Sequence, residues 1–182
     1  MVSGTSVALF RGETYCIGSS GGPPGIWKFD VVEGKATEVL KSVPKNDEMV
    51  VKYQPLFSKP RHVEFMGTMG TVHAYLYKPW GSGSDQDATP PKELPPLLVK
   101  CHGGPTARTS STFRPDIQYW CSRGFSVLDV DYSGSTGYGK EYRNRLRGRW
   151  GKQDTEDVIE GAKFVAREGW CDERRVCIDG GR

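Results

Sequence analysis

Residues 97–105 read Leu-Leu-Val-Lys-Cys-His-Gly-Gly-Pro, a short apolar run followed at once by two glycines and a proline. Apolar runs of this length are typical of strands that are buried on both faces of a sheet. Glycines at the carboxyl end of such a strand let backbone N–H groups face the crevice where open α/β sheets bind ligands. We therefore predict a strand over Leu97–Cys101 and a candidate oxyanion-binding loop at His102, Gly103 and Gly104. An ordinary Gly-Gly-Pro turn is the alternative.

The same kind of element recurs towards the end of the chain. Apolar runs predict two more buried strands, over Phe125–Tyr132 and Arg175–Asp179. Helical spacing and stop signals predict helices over Phe113–Arg123 and Asp154–Arg167. Strands that alternate with helices in this way indicate an α/β fold, with a mostly parallel sheet and covering helices.

The N-terminal residues have a different pattern, with short β-rich runs separated by tight turns. Four strands are predicted, over residues 5–10, 14–19, 25–32 and 36–42. Together they would make one antiparallel sheet, about the size of one propeller blade, which cannot bury both faces alone. We assign residues 1–43 to this blade, 44–60 to a connector and 61–182 to the α/β domain. That domain would open with a hairpin of residues 62–66 and 72–77, followed by an exposed loop over 79–96.

Composition places the chain among globular proteins with one modest core. It has 182 residues, 36% of them hydrophobic and 26% charged, a net charge of +3 and a mean hydropathy of −0.54. Apolar runs fall short of the roughly 18 residues of a membrane span, so we expect no membrane association. The N-terminus lacks the features of a secretion signal, and the five cysteines form no Cys-x-x-Cys motif. We expect reduced thiols and a cytoplasmic location.

Three further motifs could suggest a cofactor, a metal or a polyanion, but we assign none of them to such a site. The glycines of residues 131–139 do not fit a dinucleotide-binding fingerprint, so we expect no such cofactor. The three histidines, at 62, 73 and 102, lack a cysteine or carboxylate at a common ligand spacing, and we expect no metal site. Arginines at 143, 145, 147 and 149 could bind a polyanion, but at this spacing on a helix they point in different directions. A solvated or ion-paired segment is the preferred interpretation, and we expect no nucleic-acid binding.

Three segments, in this order and spacing, carry a family resemblance: HGGP, YSGSTGYG and WGKQDTEDVIEGAKFVAREGWCDERRVCIDGG. Together they resemble the prolyl oligopeptidase family of serine peptidases, in particular its acylaminoacyl-peptidase and dipeptidyl-aminopeptidase-like branch. The resemblance extends over about residues 60–181, and residues 1–43 match loosely as the last blade of that family's propeller. It implies the N-terminal portion of an α/β-hydrolase domain and a peptide substrate, with no cofactor.

The resemblance also implies roles for individual residues. His102, Gly103 and Gly104 match the oxyanion loop, while Gly180 and Gly181 match the approach to the nucleophile elbow. Arg182 stands where that family has its catalytic serine, and the acid and base would follow the serine in chain order. None of Asp129, Asp131, His62 or His73 is assigned to those roles. We therefore expect the chain of residues 1–182 to be inactive.

Several alternatives for an inactive chain remain open. It could be a non-catalytic module that associates with itself or with a full-length enzyme. It could also be a degraded product of an unspliced transcript or a misassigned gene structure. A sheet edge at the last strand would make the chain marginally stable or prone to aggregate. Polyanion binding through Arg143–Arg149 is a weaker alternative.

Overall fold

Antiparallel strands form the first sheet, as the turn signals predict. The computed structural model describes residues 3–19, 22–43, 47–82 and 93–180. Strands β1 (Ser3–Phe10), β2 (Glu13–Ser19), β3 (Gly25–Asp30) and β4 (Lys35–Lys41) pair in sequence order. Each neighbouring pair is antiparallel, and the β1–β2 turn places Gly12 at φ +78°. Many apolar side chains of this sheet are exposed, which agrees with a sheet too small to bury both faces: Val7, Leu9, Phe10, Ile17, Val39 and Leu40.

The predicted connector contains a short helix. Helix α1 spans Glu48–Tyr53, and its N-cap Asp47 accepts a hydrogen bond from the Val50 backbone N–H. A 3₁₀ turn at Gln54–Leu56 follows it directly. The short length and the prolines at positions 44, 55 and 60 hid this helix from the sequence pattern.

The second sheet is mixed, with one of its described strands antiparallel to the rest. Its strands are β5 (Arg61–Gly67), β6 (Gly70–Tyr77), β7 (Leu97–Cys101), β8 (Ser126–Asp131) and β9 (Val176–Gly180), in the order β5-β6-β8-β7-β9. The pairs β5–β6 and β6–β8 are antiparallel, while β7 pairs with both β8 and β9 in parallel. Among the described strands, β6 therefore runs against the other four, which share one direction, so the prediction of a mostly parallel sheet holds except at β6.

Three helices accompany this sheet: α2 (Pro115–Cys121), α3 (Gly139–Asn144) and α4 (Gln153–Arg167). Helix α4 packs Val158 and Val165 into the main core with Val63, Phe65 and Leu128. Gly161 permits the close approach, since a Cβ there would lie 2.9 Å from the Phe65 ring. The core therefore lies between α4 and one face of the sheet.

Strand β9 is exposed at the edge of the described sheet, as predicted for the last strand, although its apolar run alone predicts burial. Val176 is 41% and Ile178 is 69% exposed, and the described residues supply one neighbouring strand, β7. An apolar run predicts burial only if both neighbours and both covering layers are present. Here β9 is the edge of the described sheet.

The chain divides into two compact units. One is Met1–Phe57 with Ser110–Pro115, and the other is Ser58–Thr109 with Asp116–Arg182. All five cysteines are free thiols. Across the described ranges, no helix combines the length and apolarity that a membrane crossing needs.

Candidate functional site

The predicted oxyanion loop lies directly at the carboxyl end of β7. Gly104 has φ +129°, and a Cβ on it would lie 2.8 Å from the Ala107 backbone N, so this turn requires glycine. Within the described ranges, the N–H groups of Gly103 and Gly104 donate to no other backbone carbonyl. Two unpaired donors in a tight turn at a strand end can bind a developing oxyanion.

His102 holds this loop against strand β8. Its ring stacks on Tyr132 with centroids 4.4 Å apart, and the Tyr132 hydroxyl donates to the His102 carbonyl at 2.8 Å. Its Nε2 lies 2.7 Å from Ser135 Oγ, and its Nδ1 lies 2.9 Å from the Gly103 carbonyl oxygen. Both ring nitrogens are therefore used to position the loop.

Ser135, His102 and Asp131 lie close together but do not form a catalytic relay. In such a relay the serine and the carboxylate bond to opposite nitrogens of the imidazole. Here Asp131 Oδ1 lies 3.7 Å from Nε2, the same nitrogen that contacts Ser135. Ser135 is fully buried, and its hydroxyl also lies 2.7 Å from the Tyr132 carbonyl oxygen. The geometry therefore differs from that of a catalytic relay.

Asp131 joins the loop that continues from the oxyanion loop to Thr109 with the glycine-rich loop that follows β8. The buried carboxylate accepts the Thr109 backbone N–H at 2.6 Å and the Tyr138 hydroxyl at 2.6 Å. Burial, followed by the bond to Asp131, raises the pKa of Tyr138 well above its usual range, so the phenol remains a donor. Hydrogen bonds to a charged acceptor are the strong ones, so this carboxylate fixes both loops.

A cavity of about 690 Å³ opens beside the oxyanion loop. His102, Gly103 and Gly104 line one side, and Trp150, Asp154 and Ile178 are among the residues that complete it. Asp154 Oδ1 is buried and has no hydrogen-bond partner among the described residues. Cys101 also lines the cavity, but burial raises the pKa of its thiol to about 11. A thiol with that pKa is protonated at neutral pH, so Cys101 is not a nucleophile.

The two predicted elbow glycines fall at the limit of the described chain. Gly180 ends strand β9, and a Cβ on it would lie 3.8 Å from the Cys101 Cβ. The carboxyl ends of β7 and β9 therefore meet, as parallel neighbours require. Gly181 and Arg182 lie outside the described residues.

Sequence reasoning assigned no individual role to five residues that hold or line the site: Tyr132, Ser135, Tyr138, Trp150 and Asp154. The first three sit in the glycine-rich stretch after β8, where hydroxyl and aromatic residues at a strand end were a usable signal. No sequence signal indicated Trp150 and Asp154, because their distance from the loop depends on how the chain folds around α4.

The arginine cluster does not form one surface. Helix α3 ends at Asn144, so Arg145, Arg147 and Arg149 lie in the turns that follow it. Arg145 is half-buried; its Nη1 donates to the Thr71 carbonyl at 2.8 Å and its guanidinium lies over Tyr142. A structural role for Arg145 disfavours the polyanion-binding alternative.

Known proteins match the chain at this site and along most of its length. The model of the prolyl oligopeptidase family matches residues 111–181. Dipeptidyl aminopeptidase BIII of Pseudoxanthomonas mexicana is 28% identical over 156 residues, 85% of this chain and 22% of the relative. The acylamino-acid-releasing enzyme of Mus musculus is 38% identical over 93 residues, 51% of this chain and 13% of the relative.

Solved structures agree with the sequence relatives. A puromycin-hydrolysing peptidase from Mycobacterium tuberculosis superimposes with a TM-score of 0.80 at 34% identity, covering 98% of this chain and 26% of that one. The acylaminoacyl peptidase of Pyrococcus horikoshii, at 21% identity and a TM-score of 0.75, shares the fold. The chain thus spans about a quarter or less of the length of these relatives.

The fold and the matches together indicate one class of similar proteins, the serine peptidases. The resemblance to the prolyl oligopeptidase family is confirmed, and residues 111–181 are the part of the chain that the family model matches.

Proposed function

We propose that this chain supplies the oxyanion side of the catalytic site of a serine peptidase. The observation that carries the proposal is the His102-Gly103-Gly104 loop, which lines a cavity together with Ile178 of β9. Among the described residues, the Gly103 and Gly104 N–H groups donate to no backbone carbonyl. In peptide hydrolysis such donors stabilise the tetrahedral intermediate, and one donor lowers the activation barrier by about 2.7–4 kcal/mol. The α/β unit is then the first portion of an α/β-hydrolase domain, and the first sheet is a propeller blade.

The described residues supply only part of that chemistry. Acyl transfer by this family needs a nucleophile and a base oriented by a carboxylate. Among the described residues, the Ser135–His102–Asp131 group comes nearest to this arrangement, and its geometry is wrong. We propose that residues 1–182 alone hydrolyse no peptide and are not labelled by a fluorophosphonate, a reagent for activated serines.

The names of the relatives suggest the substrate class. They describe aminopeptidase, acylamino-acid-releasing and puromycin-hydrolysing proteins. We propose short or N-blocked peptides as the substrates of the site to which this loop contributes. A cytoplasmic location stays a prediction.

A chimera tests the proposal without requiring a nucleophile from this chain. Residues 1–181 would replace the aligned quarter of the mycobacterial puromycin-hydrolysing peptidase, which keeps its own serine, acid and base. We expect the chimera to hydrolyse puromycin with a kcat within about tenfold of the parent's kcat. The reason is that the two oxyanion loops would stabilise the same transition state. A chimera with the parent's Tm and no hydrolysis would contradict the proposal.

A non-catalytic interaction module is the second candidate. The exposed apolar edge at Val176 and Ile178 favours it, since unpaired strands recruit further chains. It requires no catalytic residue, and it predicts association of the chain with itself or with a longer relative.

A further inference from the structure

Two histidines and a glutamate meet on strands β5 and β6, where His73 also pairs with Asp131 of β8. Glu64 lies directly opposite His73 in the antiparallel register, and His62 lies two residues before Glu64 on the same face of β5. Their neighbours Val63 and Phe65 point to the other face, into the core with α4. The three side chains therefore share the face of the sheet opposite α4.

The donor atoms of these side chains are spaced for one small cation. His73 Nδ1 lies 3.4 Å from Glu64 Oε1, and one ligand atom from each of the three residues lies within 4.8 Å of the others. Zinc bonds of about 2.0–2.2 Å at tetrahedral angles place neighbouring donors about 3.4 Å apart. The His73–Glu64 pair already has this spacing, and a side-chain rotation of the exposed His62 would close the third distance.

The ring of His73 is fixed in place beside the other two donors. It stacks flat on Tyr138, with centroids 4.0 Å apart and an interplanar angle of 3°. Its Nδ1 is buried and makes no hydrogen bond within the described ranges. A metal would therefore not have to displace a hydrogen bond from this nitrogen, and imidazole nitrogens are common metal ligands.

We propose that His62, Glu64 and His73 bind a zinc-type divalent cation, with the fourth position left to water or an added ligand. Two imidazole nitrogens and one carboxylate oxygen are a donor set that zinc uses, and imidazole also suits neighbouring transition metals. The sequence spacing gave no such indication, because the hairpin register, not the separation along the chain, brings Glu64 opposite His73.

Zinc titration of the full chain by isothermal calorimetry tests the site, with Co²⁺ absorption as a report on coordination number. We expect one equivalent of Zn²⁺ to bind and to raise the Tm, and Co²⁺ to give the spectrum of a four-coordinate site. His62→Ala and Glu64→Gln change exposed side chains, so both variants are expected to fold. Removing a residue that only hydrogen-bonds to a metal ligand weakens metal binding by about 10–100-fold. Removing a ligand itself should therefore lower the affinity by at least about tenfold.

Two control variants separate this site from incidental binding. Glu33→Gln removes an exposed carboxylate elsewhere, and Cys177→Ala removes an exposed thiol that could capture zinc. Both are expected to bind zinc like the unsubstituted chain. Unchanged affinity in His62→Ala and Glu64→Gln, or loss of binding in Cys177→Ala alone, would overturn the proposal. Absence of stoichiometric binding to the unsubstituted chain would overturn it as well.

Discussion

Single side chains hold the two loops of the candidate site in place. Asp131 binds residues of both loops, through the Thr109 backbone and the Tyr138 hydroxyl. Tyr132 binds the His102 carbonyl and stacks on its ring. These contacts are polar and buried, so each depends on the presence of its partner. The loop geometry is therefore a property of a few specific residues rather than of the glycines alone.

Gly134 provides a stringent test at the residue scale. It has φ +109°, and a Cβ on it would lie 2.5 Å from Leu146 Cδ2. Gly134→Ala should lower the free energy of unfolding by about 2–4 kcal/mol, from backbone strain and steric overlap together. Gly148→Ala is the matched control, because φ is +69° there and nothing lies within 4 Å of the added Cβ. It should cost about 1–2 kcal/mol. Equal losses in urea unfolding would contradict the packing around Leu146.

Helix α4 illustrates how packing opposes intrinsic propensity. Replacing Gly161 by alanine should favour the helix by about 0.8–1 kcal/mol. The added Cβ would lie 2.9 Å from Phe65 Cζ, and overpacking of this kind costs about 1–3 kcal/mol. We expect Gly161→Ala to destabilise the protein in thermal unfolding.

A second substitution shows whether the Phe65 ring is the cause. Phe65→Leu removes the ring atoms that the new Cβ would meet, so the double variant should be more stable than the two single effects predict. Lys163→Ala, on the exposed face of α4, is the control and should change stability by less than about 0.5 kcal/mol. Additive effects of the two core substitutions would show that Gly161 does not contact Phe65.

The positions of strands and helices could be predicted from the sequence better than the pairing of the strands. Hydrophobic runs and turn residues located every strand and the long helix α4 to within a few residues, because those signals are local. The burial of β9 and the direction of β6 depend on which strands lie alongside, which no local signal carries. The position of the oxyanion loop after a strand predicts it from sequence, whereas the contact of Ser135 with His102 and the position of Asp154 in the cavity depend on the folded chain.

At the scale of the whole molecule, strand β9 has a partner on one side only among the described residues. Ile178 on β9 is 69% exposed within a strand, and Val176 is 41% exposed. Apolar edge strands template pairing with further chains, so we expect concentration-dependent association in sedimentation velocity. Ile178→Lys should shift the chain towards monomer.

Val32→Lys separates edge pairing from general hydrophobic association. Val32 is 97% exposed but lies in a turn rather than on an open strand. Its replacement should leave the association unchanged. Equal effects of the two lysine substitutions, or a monodisperse unsubstituted monomer, would contradict an interface at β9.

The most direct measurement is kcat and KM of the puromycin-hydrolysing chimera that carries Gly103→Pro. Proline deletes one of the two N–H groups that the oxyanion loop offers. We predict a loss of about 10²–10³ in kcat with little change in KM, because the donor acts on the transition state. The chimera with Gly148→Ala should keep the kcat of the unsubstituted chimera. An unchanged kcat in the folded Gly103→Pro chimera would show that this N–H group does not stabilise the oxyanion.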